Sequence, residues 1–339
     1  MWPLLSGFTL GVILTLLSRW HSALHQSGNL RPKSVASDAR SITRPPPLLN
    51  GPVSGALSHP AWRLTEESRA RINKTRVMCW VPSRHTSGTT IERIRSTWGP
   101  SCDLLIFTAT ESNPALNVVR IDYPKDRNLW NMIHPAWTYV AENYLEKFDW
   151  FFKIDDDTYF EVDNFRCFVQ DKNPDDVGYF GHRTHLPRGG YPDDVNSFFN
   201  LGAGYGLSQK SLRVLEPFLP DSKKSLPQGQ STKCARTVTW AEDVEFRNCL
   251  TVAGIGVAND TRDNWKRENF MGFAPVDNIA AVRRPDSVSW FWFGKPRDTG
   301  SGTMCCSSRP VLWHGLKNDQ GRYFFILDYF LHRLAVDPV

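Results

Sequence analysis

The stretch Asp149–Tyr159 reads DWFFKIDDDTY, so that three carboxylates directly follow a short, largely apolar run. A run of this kind predicts a buried strand, here over Asp149–Ile154. In sheets whose strands alternate with helices, ligands bind beyond the carboxyl ends of the strands. Three adjacent carboxylates repel one another unless a cation offsets their charge. The stretch therefore predicts a divalent metal site at Asp155 and Asp157, and a solvated acidic turn is the alternative interpretation.

Apolar runs and helical periodicity alternate along the chain before this stretch. We expect strands at 76–81, 104–108 and 118–121, and helices at 89–99 and 128–145. Pro135 is expected to kink the second helix or to start a new one. This alternation predicts an α/β fold with a mostly parallel sheet and helices on both faces.

The composition is that of a globular protein, since 41% of the 339 residues are hydrophobic and 22% are charged. The net charge of +5 comes without a block of Lys and Arg, which argues against nucleic acid as a partner. Seven cysteines accompany two N-glycosylation sequons, at Asn73 and Asn259. Together they favour the secretory pathway.

The N-terminus predicts a membrane anchor. Trp2–Leu17 is apolar and uncharged and is followed by Arg19, a length close to the lower limit for a spanning helix, ~17 residues. A cleaved signal peptide is the alternative, but the basic residues that open such peptides are missing. The positive charges after the segment alone would place the C-terminus in the cytosol, whereas the sequons and cysteines favour the lumen. We expect a cytoplasmic tail and anchor over 1–20, a flexible stem over 21–70 and a lumenal domain over 71–339.

Two further side chains are candidates for the chemistry of the site. His314 follows an apolar stretch, and an imidazole beside carboxylates favours Mn²⁺ over Mg²⁺, although a structural histidine is the alternative. Asp243 is expected in the first turn of a helix, where the helix dipole favours the ionised form that a general base needs. An acid that only stabilises the helix start is the alternative there. Thr239 and Glu242 fit a capping box at the same helix start.

Aromatic residues and glycines are candidates for sugar contacts. Trp290 and Trp292 alternate with phenylalanines in WFWF, so they share one face of a strand and either stack on a sugar or pack in the core. Gly202 and Gly204 precede Tyr205 and either allow a ligand to approach the backbone or form a tight turn.

Most cysteines are expected to pair in an oxidising compartment. Cys79 lies in the first predicted strand and Cys102 just before the second, so a bridge between these neighbours is plausible. A bridge between adjacent cysteines is strained. Cys167 is expected to remain a buried thiol. The other disulfide candidates are Cys234, Cys249, Cys305 and Cys306.

With these residues identified, the sequence resembles glycosyltransferase family 31, and within it the core 1 β-1,3-galactosyltransferases. The resemblance runs from about Arg76 to the C-terminus, and the adjacent cysteine pair is its most diagnostic feature. The matching stretches are RVMCWV at 76–81, RSTW at 95–98, DWFFKIDDDTY at 149–159, YFGHR at 179–183, GAGYGLS at 202–208, AED at 241–243, WFWF at 290–293 and CCS at 305–307.

The resemblance implies a GT-A fold and inverting transfer of galactose from UDP-galactose to the 3-hydroxyl of GalNAc on Ser or Thr of glycoproteins. It implies a type II protein of the Golgi membrane, held by one N-terminal helix. It also implies Mn²⁺ held by Asp155, Asp157 and His314, with Asp243 as the base. The residues that it places near the substrates are, for the donor, Arg95, Thr97, Trp98 and Asp156 and, for the acceptor, Tyr205, Glu242, Trp290 and Trp292.

The sequence also departs from the family. Met132 stands where relatives often have a Lys near the donor, Cys167 stands where they have a large apolar residue, and the segments 184–196 and 226–232 look longer. Three alternatives stay open: a fringe-like GlcNAc transferase or another β-1,3-galactosyltransferase, a chaperone-like relative without catalysis, and a lectin-like binder that needs no Mn²⁺. The chaperone-like relatives lack the acidic triplet that this chain has. The sequence leaves a homodimer and a need for a dedicated chaperone undecided.

Overall fold

The structure is a computed structural model that describes residues 73–83, 86–124, 128–185, 198–235, 241–256, 259–274 and 305–316, together with residues 66, 70, 324, 327 and 328. The strands in this part of the chain are β1 (Val77–Pro82), β2 (Leu104–Ala109), β3 (Val118–Arg120), β4 (Trp150–Ile154), β5 (Tyr159–Phe160), β6 (Tyr179–His185), β7 (Phe198–Ser208), β8 (Phe270–Met271) and β9 (Leu312–Trp313). The α-helices are α1 (Thr89–Ser96), α2 (Leu129–Tyr144), α3 (Val162–Val169), α4 (Gln209–Leu215) and α5 (Glu242–Val252).

The main sheet has the strand order β3-β2-β1-β4-β7-β6. The strands β3, β2, β1 and β4 run parallel, whereas β7 is antiparallel to both β4 and β6. A second sheet of three short strands has the order β5-β9-β8. The predicted α/β fold with a mostly parallel sheet is therefore confirmed, and the reversed strand β7, between β4 and the edge strand β6, is what the sequence did not predict.

The core lies on both faces of the main sheet, because side chains along its central strands alternate between them. In β1, Val77, Cys79 and Val81 join the same cluster as the buried residues of α1 and α3. Met78 and Trp80 point the other way and join the buried residues of α2, α4 and α5. Such continuous apolar strands are typical of parallel sheets that are covered on both sides.

The helix α2 runs through Pro135 without a break, so the proline does not start a new helix. Proline lacks the N–H that would bond to the carbonyl of Asn131. The helix nevertheless buries a long apolar face on the sheet, including Trp130, Trp137 and Val140. Burial of that face outweighs the one lost hydrogen bond.

The helix α1 ends at Ser96, three residues before the predicted stop at Gly99. A short 3₁₀ turn over Gly99–Ser101 follows and leads to Cys102. There the hydroxyl of Thr97 donates to the carbonyl of Arg93 at 2.7 Å and satisfies one of the acceptors at the helix end.

Three disulfides join the cysteine candidates in pairs, Cys79–Cys102, Cys234–Cys249 and Cys305–Cys306. Cys167 is a free cysteine within α3, as predicted, but it is half-buried rather than buried. The first bridge links β1 to the residue before β2, and the second links α5 to the loop that precedes it.

Gly206 lies in β7 directly opposite Phe152 of β4. A Cβ added at Gly206 would lie 2.1 Å from the Phe152 ring, so a side chain at this position would force the buried ring to shift. We expect Gly206→Ala to lower the free energy of unfolding by about 1–3 kcal/mol, as overpacking of a core does. Gly256→Ala is the matched control, because a Cβ there meets nothing within 4 Å. Denaturant unfolding would measure both, and equal stabilities would contradict the packing described.

Among the described residues, no helix is long and apolar enough to cross a membrane. The predicted anchor at Trp2–Leu17 lies outside the described residues, as does nearly all of the predicted stem.

Candidate active site

The acidic turn lies where the sequence predicted it, at the carboxyl end of β4. Asp155, Asp157 and His314 each offer one ligand atom, and these atoms all lie within 4.8 Å of one another. His314 Nε2 lies 3.8 Å from Asp155 Oδ2 and 3.3 Å from Asp157 Oδ1. Two carboxylates and an imidazole form a donor set that suits Mn²⁺ and related divalent ions.

Strand pairing brings His314 to the acidic turn across a large sequence separation. The strand β5 follows the turn and pairs with β9, so that Tyr159 lies opposite Trp313. His314 is the next residue after β9. Beyond it, the N–H of Leu316 donates to the carbonyl of Asp157 at 3.0 Å and fixes the two segments together.

The orientation of the His314 ring is fixed by the backbone. Its Nδ1 lies 3.0 Å from the carbonyl oxygen of Gly272. Because a carbonyl only accepts, Nδ1 carries the proton and Nε2 offers its lone pair toward Asp155 and Asp157. Burial lowers the pKa of His314, but Asp157 and Asp155 outweigh burial and raise it overall. Since a metal ligand must be deprotonated, metal binding at this cluster is expected to weaken as the pH falls.

Asp243 lies in the first turn of α5 and is half-buried. Its Oδ2 accepts from the N–H of Gly202 at 3.0 Å, and its Oδ1 accepts from the N–H of Val244 at 2.9 Å. Burial raises the pKa of Asp243 above its usual range, against the opposing effect of these two hydrogen bonds. A carboxylate with a raised pKa is better suited to accept a proton than an ordinary surface aspartate.

The predicted capping box at the start of α5 is wrong. The N-cap residue is Ala241, without a side-chain cap, and Glu242 is the first residue of the helix rather than the third. The carboxylate of Glu242 turns inward instead, where Oε1 accepts from Lys153 Nζ at 2.7 Å and Oε2 accepts from the Tyr205 hydroxyl at 2.7 Å. Thr239 lies outside the described residues.

Glu242 and Tyr205, both predicted to lie near the acceptor, are buried at 6% and 0% exposure. Burial raises the pKa of Glu242 to about 7, although Lys153 lowers it. Both side chains are closed off from solvent and bonded to each other, so any effect on an acceptor passes through other residues. Trp290 and Trp292, the remaining acceptor candidates, lie outside the described residues.

The glycines of GAGYGLS lie within β7 and not in a tight turn. A Cβ at Gly202 would lie 2.7 Å from Glu242 Oε1 and 3.7 Å from Asp243 Oδ2. The missing side chain therefore lets the two acids of α5 approach the strand. Close approach was one of the two predicted roles, but the groups that approach belong to the protein itself.

The donor candidates of the RSTW stretch lie in different surroundings. Trp98 is buried, edge-on to Phe160, and Thr97 caps its own helix. Arg95 is exposed and donates to the carbonyl of Ala115 at 3.0 Å. None of the three contacts the ligand cluster within the described part of the chain, and their donor roles remain predictions. Met132 packs against the hydrophobic core.

Arg93 is the basic residue that α1 brings to the acidic turn, and no role was predicted for it from the sequence. It is half-buried, and its guanidinium lies 3.5 Å from the carbonyl oxygen of Asp156 and over the Phe324 ring at 4.5 Å. Burial lowers the pKa of Arg93, against the opposing charges of Asp156 and Asp157. The signal in the sequence that could have indicated Arg93 was its position two residues before Arg95, which places it on another side of the same helix.

Both sequons fall on described residues. Asn73 is exposed. Asn259 is exposed as well, but its Oδ1 accepts from the N–H of Tyr179 at 2.8 Å, and the hydroxyl of Thr261 donates to the Gly181 carbonyl at 2.9 Å. Glycosylation at either asparagine remains a prediction.

Comparison with known proteins gives a relative for most of the chain. The chain is 29% identical over 266 residues to glycoprotein-N-acetylgalactosamine 3-beta-galactosyltransferase 1 of Xenopus laevis, and the match covers 77% of this chain and 67% of the relative. This chain is related to the core 1 galactosyltransferases. The relationship confirms the resemblance to family 31 that the motifs indicated. No protein-family model matches the chain.

Solved structures resemble the chain only weakly. The catalytic domain of Drosophila β1,4-galactosyltransferase 7 has a TM-score of 0.29 at 13% identity, covering 54% of this chain and 64% of that domain. The chain thus spans less than two thirds of that domain. A glycosyltransferase involved in the glycosylation of the major capsid of PBCV-1 has a TM-score of 0.27 at 12% identity. The match covers 44% of this chain and 68% of that one.

Proposed function

We propose that this chain is a GT-A glycosyltransferase that transfers galactose from UDP-galactose to the 3-hydroxyl of GalNAc on Ser or Thr of glycoproteins, with inversion. The observation that carries the proposal is the cluster of Asp155, Asp157 and His314 at the carboxyl end of β4. The relative from Xenopus laevis, whose name states galactose transfer to N-acetylgalactosamine of glycoproteins, supports the proposed sugars. Sugar transfer is the broader activity that the same relationship supports.

In this proposal Asp155, Asp157 and His314 hold Mn²⁺. The bound ion would neutralise the diphosphate of the leaving UDP. His314 supplies Nε2 because the Gly272 carbonyl holds its other nitrogen. The carboxylates lie on a turn that the main chain fixes, since Asp155 N donates to the Ala203 carbonyl at 3.2 Å and Thr158 N donates to the Asp155 carbonyl at 3.1 Å.

Asp243 is the proposed general base. Its carboxylate takes the proton from the GalNAc 3-hydroxyl while the oxygen bonds to the anomeric carbon of galactose and the bond from that carbon to the UDP oxygen breaks. Two backbone N–H groups, of Gly202 and Val244, hold the carboxylate in place. A base fixed in this way loses little entropy in reaching the reacting hydroxyl.

The proposed setting is the Golgi lumen, with the chain held as a type II membrane protein. Three disulfides support an oxidising compartment. The relationship to a glycoprotein-modifying enzyme supports the same setting.

Comparison of donors tests the proposed sugar. The full chain would be given UDP-galactose, UDP-GlcNAc and UDP-GalNAc with Mn²⁺ and a GalNAc-Thr peptide, and the products would be identified by mass and linkage. The proposal expects β-1,3-linked galactose. Preferential GlcNAc transfer would replace it with a fringe-like activity.

Arg93 is expected to contact the donor diphosphate, because it is the half-buried cation beside the acidic turn. Arg93→Ala should raise the KM for UDP-galactose by about tenfold, the effect of losing one charge-assisted hydrogen bond. Arg95→Ala on the same helix removes an equal charge from a residue that bonds to Ala115, and should have a smaller effect. Steady-state kinetics decide between them, and a larger effect at Arg95 would favour the assignment made from the sequence.

A further inference from the structure

Lys153 is a buried cation between the metal cluster and the proposed base. It lies in β4, two residues before Asp155, with an exposure of 1%. Its ammonium donates to Asp155 Oδ1 at 2.6 Å, to the Gly202 carbonyl at 2.6 Å and to Glu242 Oε1 at 2.7 Å. An ammonium has three N–H donors, so all of them are engaged and none is left for a substrate.

The first contact gives the two carboxylate oxygens of Asp155 different partners. Oδ1 is held by Lys153, whereas Oδ2 is the oxygen that lies 3.8 Å from His314 Nε2. The lysine therefore turns Oδ2 toward the ligand cluster and keeps the carboxylate from rotating. Without it, Asp155 Oδ1 would lose this hydrogen bond.

The second contact links Lys153 to Asp243 through the backbone of Gly202. The carbonyl of Gly202 accepts from Lys153, and the N–H of the same residue donates to Asp243 Oδ2 at 3.0 Å. The third contact holds Glu242, the neighbour of Asp243 on α5, and Tyr205 holds the other oxygen of that glutamate. The ammonium of Lys153 is thus linked both to the metal ligand Asp155 and to the proposed base Asp243.

We propose that Lys153 is a positioning residue that orients the metal ligand Asp155 and the base Asp243 together, through Asp155 Oδ1 and the backbone of Gly202. The part that concerns Asp243 rests on the proposed function, whereas the part that concerns Asp155 rests only on metal binding. The competing explanation is that Lys153 is a buried ion pair with Glu242 that only stabilises the fold.

A pair of substitutions separates these explanations. Lys153→Met alone leaves Glu242 without its cation and is expected to be destabilising, since one partner of a buried ion pair is removed. Combining Lys153→Met with Glu242→Gln removes both charges, and such double replacement is often neutral for stability. The double substitution restores the stability that Lys153→Met loses, but it does not restore the orientation of Asp155.

The experiment uses the full chain in four forms: the wild type, Lys153→Met, Glu242→Gln and the double variant. Titration with Mn²⁺, followed by the electron paramagnetic resonance signal of the free ion, gives the Kd. Thermal unfolding gives the Tm, and UDP-galactose turnover gives kcat. We expect the double variant to regain most of the Tm lost in Lys153→Met, but to bind Mn²⁺ about 10–100-fold more weakly than the wild type, the usual effect of losing a group that orients a ligand. Glu242→Gln should keep the wild-type Kd for Mn²⁺, and kcat should stay low in both Lys153 variants.

Wild-type Mn²⁺ affinity in Lys153→Met or in the double variant would overturn the inference and leave the proposed function standing. If the wild type binds Mn²⁺ but transfers no galactose, the proposed function fails, and the Mn²⁺ comparison still decides the role of Lys153. A wild type that binds no Mn²⁺ would overturn both.

Discussion

Asp243→Asn should lower kcat for galactose transfer by about 10²–10⁴-fold, the usual contribution of a general base. Asparagine keeps the size of the side chain and one oxygen that can accept from the Gly202 N–H, but it cannot take the proton from the acceptor hydroxyl. The KM for UDP-galactose and the Kd for Mn²⁺ should change little, because Asp243 lies outside the ligand cluster. Initial rates with a GalNAc-Thr peptide measure the effect.

The matched control is Glu245→Gln, which neutralises another acid in the first turn of the same helix. This variant should retain most of the wild-type kcat. The pH profile gives a second check. Burial raises the pKa of Asp243, and the base acts only when it is ionised. As the pH is lowered, activity should therefore begin to fall at a higher pH than the pKa of an ordinary aspartate would give. Equal kcat values for Asp243→Asn and the wild type would remove Asp243 from the mechanism.

Asp157→Asn should weaken Mn²⁺ binding by about 100-fold or more and leave little galactose transfer. Asp157 is 4% exposed and its Oδ1 lies 3.3 Å from His314 Nε2, so the substitution replaces a buried ligand oxygen. Loss of a group that only orients a ligand costs about 10–100-fold, and loss of the ligand itself should cost at least as much. Calorimetric titration with Mn²⁺ alone measures the affinity.

Asp156→Asn is the control for this substitution, since it makes the same chemical change at the adjacent residue of the triplet. The side chain of Asp156 does not belong to the ligand cluster, so the Kd for Mn²⁺ should stay close to that of the wild type. Similar losses in both variants would mean that the triplet attracts cations by its total charge, as a solvated acidic turn would.

The sequence predicted the place of the acidic turn after β4 because the signal there is local. An apolar strand that ends in carboxylates places those carboxylates at the edge of the sheet without any further information. His314 was different, since its spacing alone also fitted a structural histidine. Its position depends on the pairing of β5 with β9, which joins residues far apart in the sequence.

The errors arose where tertiary contacts replaced a local pattern. Thr239 and Glu242 fit a capping box, but Glu242 instead lies at the first position of α5 and bonds to Lys153 and Tyr205. For Gly202 and Gly204 a tight turn was one of the two predicted roles, yet both lie within the antiparallel strand β7. No role was predicted for Lys153 from the sequence, and its three acceptors come together only in the folded chain.

Galactose transfer is the activity that tests the proposed function first. The full chain would be expressed in a secretory host and assayed with UDP-galactose and a GalNAc-Thr peptide, once with Mn²⁺ and once with EDTA. We expect a β-1,3-linked galactose product that depends on the metal. Folded protein that binds UDP but forms no such product in Mn²⁺ would contradict it.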